Sequence, residues 1–369
     1  TASNNTAIGV SSLRANTTGH SGVAVGALAL DANTTGEENT AVGKNALGAN
    51  TTASYNTSMG SSSMLVNTTG ANNVALGVNA LKSNTTASNN TGIGFGALVA
   101  NTTGTSNTAV GAYALDANTT GDTNTALGQN ALGANTTGNG NVAIGYQALI
   151  KNTTANYNVA IGENSQFAHL TGTNNVAVGA YSLDANESSS NNTAIGDSSL
   201  TSSTAGQNTA LGYASLTNLT TGTYNIGIGY NANSSAVDSN GQCTLGDGNI
   251  SNLRCNDTSI SSISDSRDKT DVINSPYGLE FINTVRPVQF KWETRDGNVK
   301  DGSTRIGFLA QELLSATDGN NAILDLVHDD NPDKLEAKYG NLLPILVKAI
   351  QELSAQNAEL TTRITTLEG

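Results

Sequence analysis

Residues 107–123 read NTAVGAYALDANTTGDT, and residues 124–140 read NTALGQNALGANTTGNG. The two stretches share an Asn-Thr-Ala start, an apolar residue followed by Gly, an Ala-Leu pair and an Asn-Thr-Thr-Gly segment. Such self-similarity at a fixed period indicates a repeat architecture. The period of 17 extends over most of the chain, with one single-residue deletion, and its repeat glycines are Gly9, Gly26, Gly43, Gly60, Gly77, Gly94, Gly111, Gly128, Gly145, Gly162, Gly179, Gly196, Gly212, Gly229 and Gly246.

A unit of 17 residues with two short apolar patches is too short for a helical pair or a propeller blade, but it fits one coil of a β-solenoid. We therefore predict about fifteen coils over residues 1–246. Stacked at the inter-strand spacing, they would form a rod about 70 Å long. The narrow interior holds one large and one or two small side chains. The apolar residue before each repeat glycine, such as Val25 between Ile8 and Val42 in the stack, is expected to be a core residue.

Asparagine stands four residues before the repeat glycine in thirteen of the fifteen units, as at Asn39, Asn56 and Asn73. Stacked asparagines should form a ladder whose amides hydrogen-bond one coil to the next. The many N-x-T triplets, such as that at Asn16, match the acceptor pattern for N-glycosylation. The repeat itself demands Asn and Thr at these places, so we favour structural corners.

The composition changes near residue 263. All four prolines and the single tryptophan lie after this point, whereas 33 of the 40 glycines lie before it. The composition of the glycine-rich part is unlike that of an average globular protein, so the chain consists of two different parts joined end to end. The sequence predicts a mainly β chain, with the solenoid at 1–246, a connector at 247–263 and a separate C-terminal domain at 264–369.

The net charge of −13 is divided between both parts, and neither part offers a basic stripe, so nucleic acid is not an expected partner. No run of about 20 apolar residues predicts a membrane span. Because the sequence begins TASNNTAIG, without a Met or a leader, we expect a fragment or processed product that lacks an anchoring N-terminus. Cys243 and Cys255 match no zinc pattern, and structural thiols are favoured over a disulfide within or between chains.

The repeats show no recognisable active site. Their two histidines, His20 and His169, are isolated, and their carboxylates have no recurring pair for glycosidase chemistry. We also expect no aromatic platform for a sugar. Rows of threonine would suit ice binding, but the adjacent threonines of Asn-Thr-Thr point to opposite faces. Neither a metal nor a cofactor is expected anywhere in the chain.

Three motifs follow in the C-terminal part. Residues 264–269 read SDSRDK, residues 285–292 read VRPVQFKW and residues 306–312 read IGFLAQE. They resemble, in the same order, the S-D-x-R-x-K, L-R-P-V-x-F-x-W and I-G-F-I-A-Q-E motifs of the S74 peptidase family. This family comprises the intramolecular chaperones at the C-termini of phage tail spikes, endosialidases and neck appendages. The resemblance implies that residues 264–369 are a small α+β domain, a self-cleaving chaperone that trimerises the segment before it.

In that family a serine and the lysine five residues on form a catalytic dyad, and the resemblance assigns these roles to Ser264 and Lys269. A serine hydroxyl needs an adjacent base, and a lysine can serve if burial lowers its pKa from about 10.4. A site that acts once can rely on proximity in place of a full triad. Asp265 and Arg267 are expected to hold the turn or orient the dyad. The cut bond is either Ile263–Ser264 or Ser264–Asp265.

The chain ends in a heptad pattern that predicts a coiled-coil helix over residues 341–368. Ile at a, Leu at d and one Asn at a would by themselves favour a dimer, whereas the family resemblance implies a trimer. An amphipathic helix that packs within one chain is the alternative. The seam residues, at alternating spacings of three and four, are Leu343, Leu346, Ile350, Leu353, Asn357, Leu360, Ile364 and Leu367.

The repeats resemble the head repeats of trimeric autotransporter adhesins, whose N-S-V-A-I-G units form a parallel β-roll in a three-chain bundle. Together the two resemblances imply a homotrimeric rod in a virion, a bacteriophage tail fibre or spike. It would bind a glycan or protein receptor on the host surface and other virion proteins through the missing N-terminus. A polysaccharide-degrading tailspike and a non-viral adhesin or ice-binding solenoid are the alternatives.

Overall fold

The computed structural model divides the chain into two compact units, Thr1–Asp247 and Gly248–Gly369. Most of the predicted connector, together with Cys255 and Trp292, lies outside the described residues. The described residues are 2–247, 249–250, 264–291, 302–333 and 335–368.

The first unit is built on one parallel sheet of fifteen strands, which are hydrogen-bonded in sequence order. Neighbouring strands pair 17 residues apart, so that Ala24 lies beside Ala41. At the single-residue deletion Thr193 still pairs with Thr209, so the loop absorbs the missing residue and the register is kept. The predicted solenoid is confirmed. Its strands are Thr6–Ile8 (β1), Val23–Val25 (β2), Thr40–Val42 (β3), Thr57–Met59 (β4), Val74–Leu76 (β5), Thr91–Ile93 (β6), Thr108–Val110 (β7), Thr125–Leu127 (β8), Val142–Ile144 (β9), Val159–Ile161 (β10), Val176–Val178 (β11), Thr193–Ile195 (β12), Thr209–Leu211 (β13), Ile226–Ile228 (β14) and Cys243–Leu245 (β15).

Two alanines and one leucine fill the core of a typical coil. The middle residue of a strand, such as Ala41, is fully buried. So are the alanine and leucine three and four residues after the repeat glycine, such as Ala46 and Leu47. The residue before the glycine points the other way: Val25 is only partly buried, and Met59 is 41% exposed. The expectation that these residues belong to the core is therefore wrong. Successive residues of a strand face opposite sides, and the leucine leaves no room inside for a second large side chain.

The repeat glycine lets neighbouring coils approach closely. Gly43 has a φ of 134°, which side chains rarely allow. A Cβ atom built on it would lie 2.6 Å from the carbonyl oxygen of Gly60 in the next coil. Any other residue would therefore be strained and would push the coils apart.

Two columns of buried asparagines tie the coils together. In the first column, four residues before the repeat glycine, Oδ1 of Asn39 accepts a hydrogen bond from the backbone N–H of Asn56 at 3.0 Å. The Nδ2 of Asn39 donates to the carbonyl of Ala53 at 2.8 Å. This ladder was predicted and is confirmed. In the second column, seven residues after the glycine, Nδ2 of Asn50 donates to Oδ1 of Asn33 at 2.8 Å. These asparagines begin N-x-T triplets, and their burial confirms that the triplets are structural corners.

The second unit is a small α+β fold that ends in a long helix, as predicted. Strand β16 pairs with β17 and β18 with β19, both antiparallel. The core contains Phe281, Leu313, Leu326, Val327 and Ile345. The helices are Leu279–Ile282 (α1), Ala310–Ala316 (α2), Asn321–Leu324 (α3) and Leu342–Glu368 (α4), the strands are Val288–Lys291 (β16), Thr304–Gly307 (β17), Val327–His328 (β18) and Glu336–Ala337 (β19), and single 3-10 turns cover Ser266–Asp268 and Tyr339–Asn341.

Helix α4 has a buried start and an exposed remainder. Leu342, Ile345 and Ala349 are buried in its first turns. The predicted heptad seam lies on a different side and is open to solvent. Packing within the described part of one chain therefore covers only the first turns of α4. The exposed apolar seam residues are Leu343, Leu346, Ile350, Leu353, Leu360, Ile364 and Leu367.

Candidate active site

A short turn brings Ser264 and Lys269 together. Residues Ser266–Asp268 form one turn of 3-10 helix, which folds the chain back on itself. Lys269 Nζ donates a hydrogen bond to Ser264 Oγ at 2.5 Å. The two residues that the sequence proposes as nucleophile and base are therefore in direct contact.

Asp265 and Arg267 shape this turn. Asp265 caps it, because its Oδ1 accepts a hydrogen bond from the backbone N–H of Arg267 at 2.9 Å. The Arg267 guanidinium also donates to both oxygens of the carboxylate, from Nε to Oδ1 and from Nη2 to Oδ2. The guanidinium holds the pKa of Asp265 below its ordinary value. Because both residues are at the surface, the pair contributes little to overall stability, and its effect is local, on the turn that joins Ser264 to Lys269.

Ser264 and Lys269 are both exposed in the single chain. A lysine that acts as a base needs to be buried, because an ammonium group in water holds its proton too tightly near neutral pH. The described part of this chain does not bury the Lys269 side chain. The structure therefore shows the contact between the two side chains, and it shows both of them exposed.

The second and third sequence motifs lie side by side in the fold. β16 and β17 pair so that Val288 is opposite Gly307. Arg286, just before β16, binds both carboxylate oxygens of Glu312 on α2. This ion pair lowers the pKa of Glu312 from its ordinary value. The sequence could place these motifs only in order along the chain, and the structure joins them by a strand pair and a forked ion pair.

None of the three sequence motifs includes Glu352, a residue that helps to position helix α1. This carboxylate on α4 accepts a hydrogen bond from the backbone N–H of Leu279 at 2.7 Å, and it pairs with Lys348 at 3.2 Å. The Leu279 N–H, and after it Lys348, lower the pKa of Glu352. A spacing of four predicts the Lys348 pair on a helix. Nothing in the sequence indicates the contact with Leu279.

No group of three or more metal-binding side chains occurs among the residues that the structure describes. No helix in the described ranges is both long and apolar enough to cross a membrane.

Two aromatic pairs lie on the solenoid surface among the described residues. Tyr213 and Tyr230 stack with their ring centroids 5.4 Å apart. Phe95 and Tyr113 meet edge to face at 5.2 Å. The sequence does not reveal these pairs, because residues about 17 apart become neighbours only when the coils stack.

The sequence of residues 264–320 matches the Peptidase S74 family, described as chaperone of endosialidase. The match covers 57 of 369 residues and contains all three motifs, so it characterises this part of the chain alone. It supports a self-cleaving, peptidase-type chaperone domain here. No curated protein and no solved structure matches the chain.

Proposed function

We propose that the chain is a homotrimeric tail fibre or spike of a bacteriophage or related virus, and that residues 264–369 assemble it and then cut themselves off. The observation that carries the proposal is the contact between Lys269 and Ser264, inside the stretch that is similar to S74 peptidases. Attachment to a host surface suits the repeats, because stacked coils form a long support. The exposed Tyr213 and Tyr230 offer aromatic rings to a receptor.

The proposed reaction uses serine as nucleophile and lysine as base. When the Lys269 amine is neutral, the Ser264 hydroxyl gives its proton to Nζ and Oγ attacks a neighbouring backbone carbonyl carbon. The C–N bond breaks, and the lysine ammonium returns the proton to the leaving nitrogen. The resulting ester holds the two parts together until water hydrolyses it.

Ring size decides which bond is cut in this reaction. Attack by Ser264 Oγ on the carbonyl carbon of residue 263 closes a five-membered ring, whereas attack on the serine's own carbonyl closes a strained four-membered ring. The lower ring strain favours attack on the carbonyl carbon of residue 263. We therefore assign the cut to the bond between Ile263 and Ser264.

The exposure of the dyad links cleavage to assembly. If three C-terminal units meet, neighbouring chains can cover Lys269, remove water from it and favour its neutral form. Cleavage would then follow trimerisation and would be slow in dilute, monomeric protein. Once the chaperone has left, the trimer cannot reverse its own assembly, so its stability becomes kinetic.

Replacing either member of the dyad tests the proposal. Ser264→Ala and Lys269→Ala should each slow cleavage by about 10³-fold or more, while trimers still form because the rest of residues 264–369 is intact. Intact-mass measurement should show fragments of 263 and 106 residues from the wild-type chain, and an uncut 369-residue chain from each variant.

Ser266→Ala is the matched control, because Ser266 lies in the same turn and is exposed. It should be cleaved at the wild-type rate. Normal processing of Ser264→Ala or of Lys269→Ala would remove the assignment of the dyad.

A further inference from the structure

Three side chains form a column on the surface near the end of the solenoid. Tyr213 and Tyr230 each follow a repeat glycine directly, and Asp197 does so in the coil before them. The backbone N–H of Ala214 donates a hydrogen bond to the carbonyl oxygen of Asp197 at 2.9 Å. The backbone N–H of Asn231 donates to the carbonyl oxygen of Tyr213 at 3.0 Å. Asp197, Tyr213 and Tyr230 therefore lie at equivalent places in successive coils, and we call them the tyrosine column.

The two rings of the tyrosine column stack along the rod. Their planes differ by 10° and their centroids are 5.4 Å apart, close to the coil rise of about 4.8 Å. The face of Tyr213 that does not meet Tyr230 is therefore turned toward the coil of Asp197. An aspartate side chain is shorter than a tyrosine, so it leaves the outer part of this face open. Tyr213 is 52% exposed and Tyr230 is 59% exposed.

The carboxylate beside this open face has room for another hydrogen bond. Ser198 Oγ donates to Oδ1 of Asp197 at 2.7 Å. Oδ2 of Asp197 accepts no hydrogen bond from the residues that the structure describes. The side-chain amide of Asn231, which follows Tyr230, has no hydrogen-bond partner in the described ranges either. The tyrosine column thus offers an aromatic face, a carboxylate oxygen and a neighbouring amide to a ligand.

The charge around the tyrosine column favours a cation. Residues 152–247 contain six acidic side chains and neither Lys nor Arg. A surface of this kind attracts cations and repels anions such as acidic sugars. An ammonium group also gains from contact with an aromatic face and from a charge-assisted hydrogen bond to a carboxylate.

We propose that the tyrosine column binds an amino sugar that carries a free ammonium group. The C–H face of the sugar ring lies on the ring of Tyr213, and Tyr230 supports that ring from the other side. The ammonium group donates to Oδ2 of Asp197, and the sugar hydroxyls reach Asn231. This inference rests on the host attachment in the proposed function and deepens it by naming the class of glycan.

The size of the site favours a sugar over a protein as the ligand. One half-exposed ring face with one carboxylate matches a single sugar unit, whereas a protein partner usually covers about 800 Å² on each side. A contact this small is weak by itself. A glycan that repeats the sugar can bind several copies of the site at once, which raises the overall affinity.

The first test compares two oligosaccharides that differ in charge. The probes are a glucosamine hexamer, which is cationic at mildly acidic pH, and the N-acetylglucosamine hexamer, which has the same linkage pattern and no charge. Isothermal titration calorimetry with the 369-residue chain and its products should show the glucosamine hexamer binding about tenfold more tightly. Added salt should reduce this difference, because it screens exposed charges.

Replacing the rings tests the aromatic part of the site. Tyr213→Ala combined with Tyr230→Ala should weaken binding of the glucosamine hexamer about tenfold or more. Both side chains are exposed, so the fold should be kept, as circular dichroism can verify. The matched control is Phe95→Ala combined with Tyr113→Ala, which removes the other exposed ring pair and should leave binding unchanged.

Replacing the carboxylate tests the choice of an ammonium group. Asp197→Asn keeps the shape of the side chain and removes its charge. It should weaken the glucosamine hexamer about tenfold and leave the affinity for the N-acetylated hexamer unchanged. Asp238→Asn removes the same charge from an exposed position outside the tyrosine column and should have no effect.

The outcomes separate this proposal from the proposed function. Wild-type affinity in the tyrosine variant would mean attraction by charge alone and would overturn the site, as would equal affinity for the two hexamers. Cleavage and oligomeric state are measured on the same samples. A cleaved trimer that does not bind the glucosamine hexamer overturns the sugar site alone. An uncut monomer that binds it overturns the proposed function alone.

Discussion

At the scale of single residues, His169 interrupts the second asparagine column. Nine consecutive coils before it have Asn at this place. The buried His169 ring has Nε2 2.7 Å from the Gly172 carbonyl oxygen and Nδ1 3.3 Å from that of Asn186. A neutral imidazole has one N–H and can donate to only one of these carbonyls. Oδ1 of Asn152, which an asparagine at 169 would satisfy, has no hydrogen-bond partner among the described residues.

We expect His169→Asn to stabilise the solenoid by about 1–2 kcal/mol, because the new amide would donate to Asn152 and restore the column. This corresponds to a rise in Tm of about 2–4 °C, measured by circular dichroism near neutral pH. Thr171→Asn, at an exposed position of the same coil, is the control and should change little.

The stability of the wild type and that of His169→Asn should also depend differently on pH. Burial lowers the pKa of His169 in the folded chain. As the pH falls below about 6.5, the unfolded chain therefore takes up a proton first. Stability is lost as the solution is acidified, and the loss should be smaller in His169→Asn. Identical Tm values for variant and wild type at every pH would contradict this account of the column.

At the scale of elements, the coil is the unit that can be removed. Deleting residues 112–128, one full period, joins Gly111 to Gln129, the same neighbour that Gly128 has now. The next coil then stacks directly on the previous one. We expect the rod to shorten by about 4.8 Å, with cleavage and trimerisation unchanged.

Deleting only residues 112–119 provides the comparison. It removes Leu115 from the core and displaces Ala126, which pairs with Ala109 in the intact sheet. A lost core leucine alone costs about 2–5 kcal/mol, and misplaced strands add to that. Misassembly or a clearly lower Tm should result, seen by thermal melting and by rod length in negative stain. Equal tolerance of both deletions would rule out an in-register solenoid.

The sequence predicts the period, the parallel stack and the final helix, because each depends on spacing alone. It does not predict which side of a strand faces inward, as Val25 shows. In a three-residue strand the apolar third residue could face either side. Leu47 is buried and the repeat glycines of neighbouring coils pack closely, so the interior has no room for the third residue of the strand. For the candidate site, the serine and lysine follow from a motif, whereas the Glu352 contact with Leu279 depends on folding between distant segments.

A second interruption of the solenoid lies at Gln166. Gln166 stands where most other coils bury a leucine, and its Oε1 has no partner among the described residues. The apolar core is divided here, with one cluster ending at Ala160 and the next beginning at Ala177. Buried polar groups without partners are costly, so this coil should be the least stable part of the stack.

At the scale of the whole molecule, near-identical coils create a problem of register. The strands repeat the same kinds of residue at every coil, so two copies that packed side by side could slip by a whole coil. Contacts between repeats alone would therefore leave the alignment of the chains undetermined. The C-terminal unit, with its exposed seam on α4, does not repeat and can align three chains from one end. Its removal after assembly would then leave the register fixed.

Native mass spectrometry of the repeat segment tests this claim most directly, by comparing the product of the 369-residue chain with that of a chain that ends at residue 263. The 369-residue chain should yield a trimer of 263-residue chains from which the 106-residue fragment has been released. The truncated chain should yield monomers or insoluble protein, because it lacks the unit that aligns three copies. Soluble trimers from the truncated chain, or an uncut 369-residue monomer from the longer one, would contradict the account.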